Sequence, residues 1–90
     1  MKSSSNNVIA TPPGKTIVEQ LYDRGMNLKV FATRMNISEE HADKLIHGKV
    51  PLTPEITIRL EQVLGIPADF WIRLEFIYRQ KLKKLIRSIS

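Results

Sequence analysis

His41 and His47 are the side chains best suited to hold a metal or move a proton near neutral pH. They stand six residues apart, and on a helix that spacing does not bring both to one face, so they form no metal pair. There is no cysteine, which removes a thiol nucleophile, a disulfide and a thiolate metal site together and fits a reducing cytoplasm. Gly14-Lys15-Thr16 echoes the end of a phosphate-cradling loop. The upstream glycine and the preceding strand are missing, so these residues read instead as a proline-glycine start to a helix. The carboxylates fall where helix ends would want them. The expectation is a protein that is not an enzyme and needs no cofactor and no metal.

The remaining chemistry is attraction to a polyanion. The formal net charge is +5. Arg79, Lys81, Lys83, Lys84 and Arg87 all lie in the last twelve residues, with no acid among them. The other nine basic residues are matched by the nine acidic ones, so the body is formally neutral. A high isoelectric point therefore points to a polyanion through the tail rather than through the fold. Within the body, Lys29, Lys44 and Lys49 are the cations best placed to meet phosphate or a guanine edge.

These residues must be positioned by helices. Residues 1–11 are rich in Ser and Asn and read as disordered; they hold one basic residue and no long apolar run, so they do not read as a secretory signal. The first helix starts either at Pro13 or at a Thr16 cap with Glu19 completing a capping box. Ile17, Val18, Leu21 and Tyr22 make its apolar face, and Gly25 stops it. Asn27 caps a second helix with Leu28, Phe31, Ala32 and Met35 inward. Asn36 suits a left-handed turn. Ser38 caps a third helix, Glu39 and Glu40 favour its positive end, and Ala42, Leu45 and Ile46 point inward until Gly48. Thr53, Pro54 and Glu55 open a fourth helix with Ile56, Leu60, Val63 and Leu64 buried, closed by Gly65. Pro67 opens a fifth. Phe70, Trp71, Leu74, Ile77 and Tyr78 line one face of it, while Ile72 and Phe76, four apart, make a second apolar strip. Leu82, Leu85, Ile86 and Ile89 continue the spacing among the tail cations. No apolar run approaches the ~20 residues of a bilayer span.

A short capped helix, a three-residue turn and a second capped helix are the parts of a helix-turn-helix, in which the second helix enters the major groove and the first crosses the backbone. A plain helical hairpin would show the same apolar spacing. The stretch from Pro13 to about Tyr78 resembles the Xre-type helix-turn-helix family, and within it the HigA-type antitoxins. The residues that carry the resemblance are Pro13-Gly14, Gly25-Met26, Ala32, Ile37-Ser38, Leu45-Ile46, Gly48-Lys49, Leu52 to Glu55, Arg59-Leu60, Leu64-Gly65, and Asp69-Phe70-Trp71 with Leu74 and Tyr78. The resemblance implies an all-α, five-helix fold, a homodimer on a palindromic operator, and neutralisation of a ribosome-dependent mRNA-cleaving toxin. This sequence departs from it with Leu28 where many relatives have Gln, Asn36 where they often have Gly, and acids where the third helix begins.

The domain organisation expected is a disordered segment 1–11, a helix-turn-helix domain 12–78 and a basic amphipathic helical tail 79–90. Candidate DNA-binding residues are Asn27, Lys29, Ser38, Glu39, Glu40, His41, Lys44 and Lys49. Lys29 and His41 read equally as solvated surface residues. Two carboxylates facing phosphates weaken attraction, though a carboxylate can accept from cytosine N4. Ile72 and Phe76 are the expected dimer interface. The tail reads as a partner helix, as a basic arm on DNA, or as a helix on a membrane surface. The leading expectation is a cytoplasmic, dimeric repressor of its own operon with double-stranded DNA and a cognate toxin as partners and no membrane. The rivals are a protein-binding module that has lost operator binding and a phage or mobile-element repressor without a toxin.

Overall fold

The computed structural model describes residues 11–89. Residues 1–10, most of the segment expected to be disordered, lie outside the described range. The described residues form five helices and no strand: α1 Pro13–Asp23, α2 Leu28–Met35, α3 Glu39–Ile46, α4 Pro54–Leu64 and α5 Ala68–Ile89.

Local chemistry sets most of the helix ends. Asn27, Ser38 and Thr53 each accept a hydrogen bond from the backbone N–H three residues on, at 2.8, 3.0 and 3.3 Å. Each thereby satisfies one of the donors a helix start leaves orphaned. α1 begins at Pro13 without a side-chain cap, so Thr16 lies inside the helix and the alternative capping box is not formed. Asn36 ends α2 in the left-handed region, and Gly65 ends α4 in the same way. α5 starts at Ala68, just after Pro67, and the Glu61 carboxylate accepts from the Ala68 N–H at 3.0 Å.

The core contains Ile17 and Leu21 from α1, Phe31, Ala32 and Met35 from α2, Ala42 and Leu45 from α3, Leu52, Ile56, Leu60 and Leu64 from around α4, and Trp71 from α5. Leu28, one of the departures from the family pattern, is half-buried against this cluster and serves packing. α3 packs chiefly on α2 and α1, while α4 joins α2 to α5. Thr57 is buried too, its hydroxyl donating to the Pro54 carbonyl at 2.6 Å.

Two expected faces are narrower than the spacing implied. On α1, Ile17 and Leu21 are buried, but Val18 and Tyr22 face solvent. On α5, Trp71 is fully buried and Leu74 and Tyr78 half-buried, but Phe70 and Ile77 are exposed. A helix running over the surface of a small domain buries only the stripe its neighbours reach, so apolar residues at the stripe's edges stay outside. α5 runs unbroken for 22 residues, about 33 Å, carrying the basic segment beyond the core.

Candidate nucleic-acid interface

The turn Asn36–Ser38 sets α3 against α2. Asn36 adopts φ 60° and ψ 45°, a conformation in which Asn costs little. The Ile37 N–H returns to the Ala32 carbonyl at 3.0 Å, and Ser38 then caps α3. Ala32 is buried where the helices meet. At the far end, α3 approaches α1 so closely that a Cβ on Gly14 would overlap the Ile46 carbonyl. The glycine that echoed a phosphate loop is there for backbone approach. Gly48, at φ 72°, sits under Pro12 and Tyr78, where a Cβ would come within 2.9 Å of the proline Cβ and 3.1 Å of the tyrosine Oη. α1, the end of α3 and the middle of α5 meet at this point.

The candidate residues lie on the outside of the two helices and the loop after them. Asn27 and Lys29 stand at the start of α2, Ser38 to His41 at the start of α3, Lys44 in its last turn and Lys49 beyond it. All are exposed except His41, which is half-buried. The side-chain oxygens of Asn27 and Ser38 are already engaged as caps.

α3 carries three carboxylates against one lysine. Lys44 Nζ lies 3.4 Å from Glu40 Oε2, one turn upstream. His47, just past the helix, places Nδ1 2.8 Å from the Asp43 backbone oxygen and 3.4 Å from its carboxylate. A carbonyl oxygen only accepts, so Nδ1 carries the proton. Lys44 and His47 are thus drawn back along the helix toward acids. Exposed pairs of this kind contribute little stability and exchange readily for a phosphate partner. Among the described residues no cluster of three or more His, Asp or Glu is arranged to hold a metal ion.

Two arginines make longer-range ties than the sequence indicated, Arg59 to the turn behind this surface and Arg24, expected to favour the C-terminal end of α1, to the end of α4. Arg59, on α4, donates from Nη1 to the Met35 and Asn36 carbonyls at 3.0 and 3.3 Å, and from Nη2 to Glu55 at 2.9 Å. Arg24 donates to the Leu64 carbonyl at 2.5 Å and to the Gln20 side chain, tying the end of α1 to the end of α4. The available signal for Arg59 was a lone cation beside Leu60 on the fourth helix, next to its buried stripe. Behind the interface, the Leu64-Gly65 and Phe70-Trp71 pairs form the α4–α5 corner. The Trp71 indole N–H donates to the Ile66 carbonyl at 3.2 Å, and its ring meets Phe70 edge-on at 5.2 Å.

This fold and face define a helix-turn-helix regulator domain. No profile of a known protein family matches the chain. The chain is 38% identical over 63 residues to the HTH-type transcriptional regulator YddM of Escherichia coli (strain K12), itself uncharacterised, over 70% of this chain and 67% of that one. It shares 25% identity and a TM-score of 0.77 with the structure of an addiction module antidote protein of the HigA family from Coxiella burnetii, over 89% of this chain and 90% of that one. A protein from Nostoc punctiforme, described as an antidote of a plasmid maintenance system, superposes with a TM-score of 0.72 and 27% identity, over 86% and 90% of the two chains. The chain belongs to the Xre-type helix-turn-helix regulators, in the HigA-like group, as the residues of the α4–α5 corner implied.

Proposed function

We propose that this protein is an antitoxin that also represses its own operon: a two-fold dimer that binds a palindromic operator with α3 in the major groove and holds a cognate toxin protein as its second partner. Its place would be the cytoplasm, and no enzymatic activity is part of the reading. The observation that carries it is the division of α2 and α3 into a buried seam, Phe31, Ala32, Met35, Ala42 and Leu45, and an outer polar face of eight candidate residues. Likeness to antidote proteins of the same fold supports the toxin half. In this arrangement Lys29 and Lys49 meet phosphates, His41 and Lys44 reach base edges, and Ile72 and Phe76, 46% and 63% exposed, lie at the dimer contact.

The test is fluorescence anisotropy of the protein with its own upstream DNA and with a random duplex, as a function of salt. Tighter binding of the upstream fragment, with both affinities falling as salt rises, supports the reading. Binding of neither duplex at low salt refutes the DNA half. One observation favours a second reading, a protein-binding module without an operator: Glu40 and Asp43 of α3 engage Lys44 and His47. Co-purification with the product of the adjacent reading frame, without DNA binding, would establish that alternative. DNA binding without a toxin partner would leave a repressor of mobile-element type.

A further inference from the structure

We infer that Arg59 is a positioning residue for DNA recognition, setting the pose of α3 from α4 through the turn that launches it; the inference rests on reading α3 as the helix that enters the groove. α2 is eight residues long and stops abruptly at the left-handed Asn36. The last carbonyls of a helix have no amide partner within it. The Arg59 guanidinium reaches across from α4 to take those of Met35 and Asn36, at 3.0 and 3.3 Å. It also sets a positive charge at the negative end of the α2 dipole. The other side of the fork is fixed by Glu55 at 2.9 Å, one turn upstream on α4.

The anchor for this tie is rigid. Leu60, the next residue, is fully buried, Ile56 and Leu64 are buried beside it, and Arg24 holds the C-terminal carbonyl of the same helix. α3 leans mainly on α2 and α1, and Arg59 is a polar route by which α4 acts on its starting point. Ser38, the cap of α3, is two residues from the Asn36 carbonyl that Arg59 holds. Base recognition needs side chains within ~0.5 Å of the productive geometry, and a tilt at the turn grows along the helix. Phosphate attraction tolerates such a tilt. Removing Arg59 should therefore strike discrimination between sequences before it strikes general attraction. A lysine offers a point charge without the planar fork and cannot hold two carbonyls and a carboxylate in one plane.

The experiment compares wild type, Arg59→Met, Arg59→Lys and Glu55→Gln by anisotropy on the upstream fragment and a random duplex over a salt series. Amide hydrogen exchange and melting are recorded on the same proteins without DNA. Arg59→Met should weaken the upstream fragment by roughly 10-fold or more, the worth of one well-aligned pairing with a base edge, with little change in random-duplex affinity or salt slope. Amides of residues 37–41 should exchange faster while those of α4 stay protected. Arg59→Lys should keep the wild-type salt slope and recover only part of the discrimination; Glu55→Gln should show a smaller effect of the same kind. An equal weakening on both duplexes with a slope shallower by ~0.9 would make Arg59 a direct phosphate ligand and overturn the inference. So would unchanged discrimination accompanied by a lower melting temperature, which would make it a structural tie alone. If wild type binds no duplex, the DNA reading itself falls, and faster exchange confined to the turn would again leave only a structural tie.

Discussion

A Cβ on Gly14 would collide with backbone rather than with a movable side chain, because its neighbour is the Ile46 carbonyl at the end of α3. Gly14→Ala should therefore cost about 1–3 kcal/mol, the range of overpacking a well-filled site, read as a lower urea midpoint with an unchanged slope. An unaffected midpoint would mean that α1 and α3 separate more easily than their packing indicates. At the other end of α3, Glu39 and Glu40 stand in its first turn, where the dipole favours each by ~0.3–1 kcal/mol. Glu40 also holds Lys44. Changing both glutamates to Gln should remove the dipole contribution, release Lys44 and raise affinity for random duplex. Operator affinity should change less, so discrimination should narrow. If operator binding vanishes instead while random binding is unaltered, the carboxylates are reading cytosine.

The element with the most unspent surface is α5. Ile72 and Phe76 lie one turn apart, and Phe70 and Ile77 lie on another side of the helix, so its solvent side carries two apolar strips rather than one. The proposed dimer uses the first. Phe76→Lys should sediment as a monomer with near-normal helicity; wild type already monomeric at high concentration would refute that interface. The second half of the helix carries the basic segment on an apolar stripe of half-buried Leu82 and Leu85. Arg79 is bound to Glu75 at 2.7 Å and lies over the Tyr78 ring, so it belongs to the helix surface as much as to the tail. Removing residues after Gln80 should weaken every duplex alike and flatten the salt dependence by ~0.9 log units for each phosphate the tail had neutralised. A salt slope that does not change would assign the tail to protein partners.

At the scale of the whole domain, Trp71 carries α5 into the core that the other four helices share. Trp71 has no exposed surface, and its N–H is satisfied by Ile66. Trp71→Ala should cost about 3–5 kcal/mol, a large share of the 5–15 kcal/mol by which a domain is stable. Denaturant unfolding followed by circular dichroism would show a variant largely unfolded near room temperature. The wild-type tryptophan should emit at short wavelength and resist acrylamide until the same cooperative transition. Early quenching would show that the α4–α5 corner opens independently. No helix among the described residues is long and apolar enough to cross a membrane.

Where the helices start and stop, and which residues lead their buried stripes, was legible in the chain before any fold was considered. Caps such as Asn27, Ser38 and Thr53, the proline at the start of α4 and the left-handed stops at Asn36 and Gly65 act within a few residues of themselves. The local sequence therefore contains the physics that makes them. Phe31, Leu45, Leu60 and Trp71 could be read as core because large apolar residues at the centre of a helical stripe are buried by almost any neighbour. The edges of those stripes were settled by docking, which leaves Val18, Tyr22, Phe70 and Ile77 outside, because the width of a buried face depends on which helix lies against it. The uses of Gly14 and of Arg59 also emerge only in three dimensions. The overlap of Gly14 with Ile46 and the reach of Arg59 to Met35 and Asn36 join residues far apart in the chain, and such partners exist only once the helices have docked.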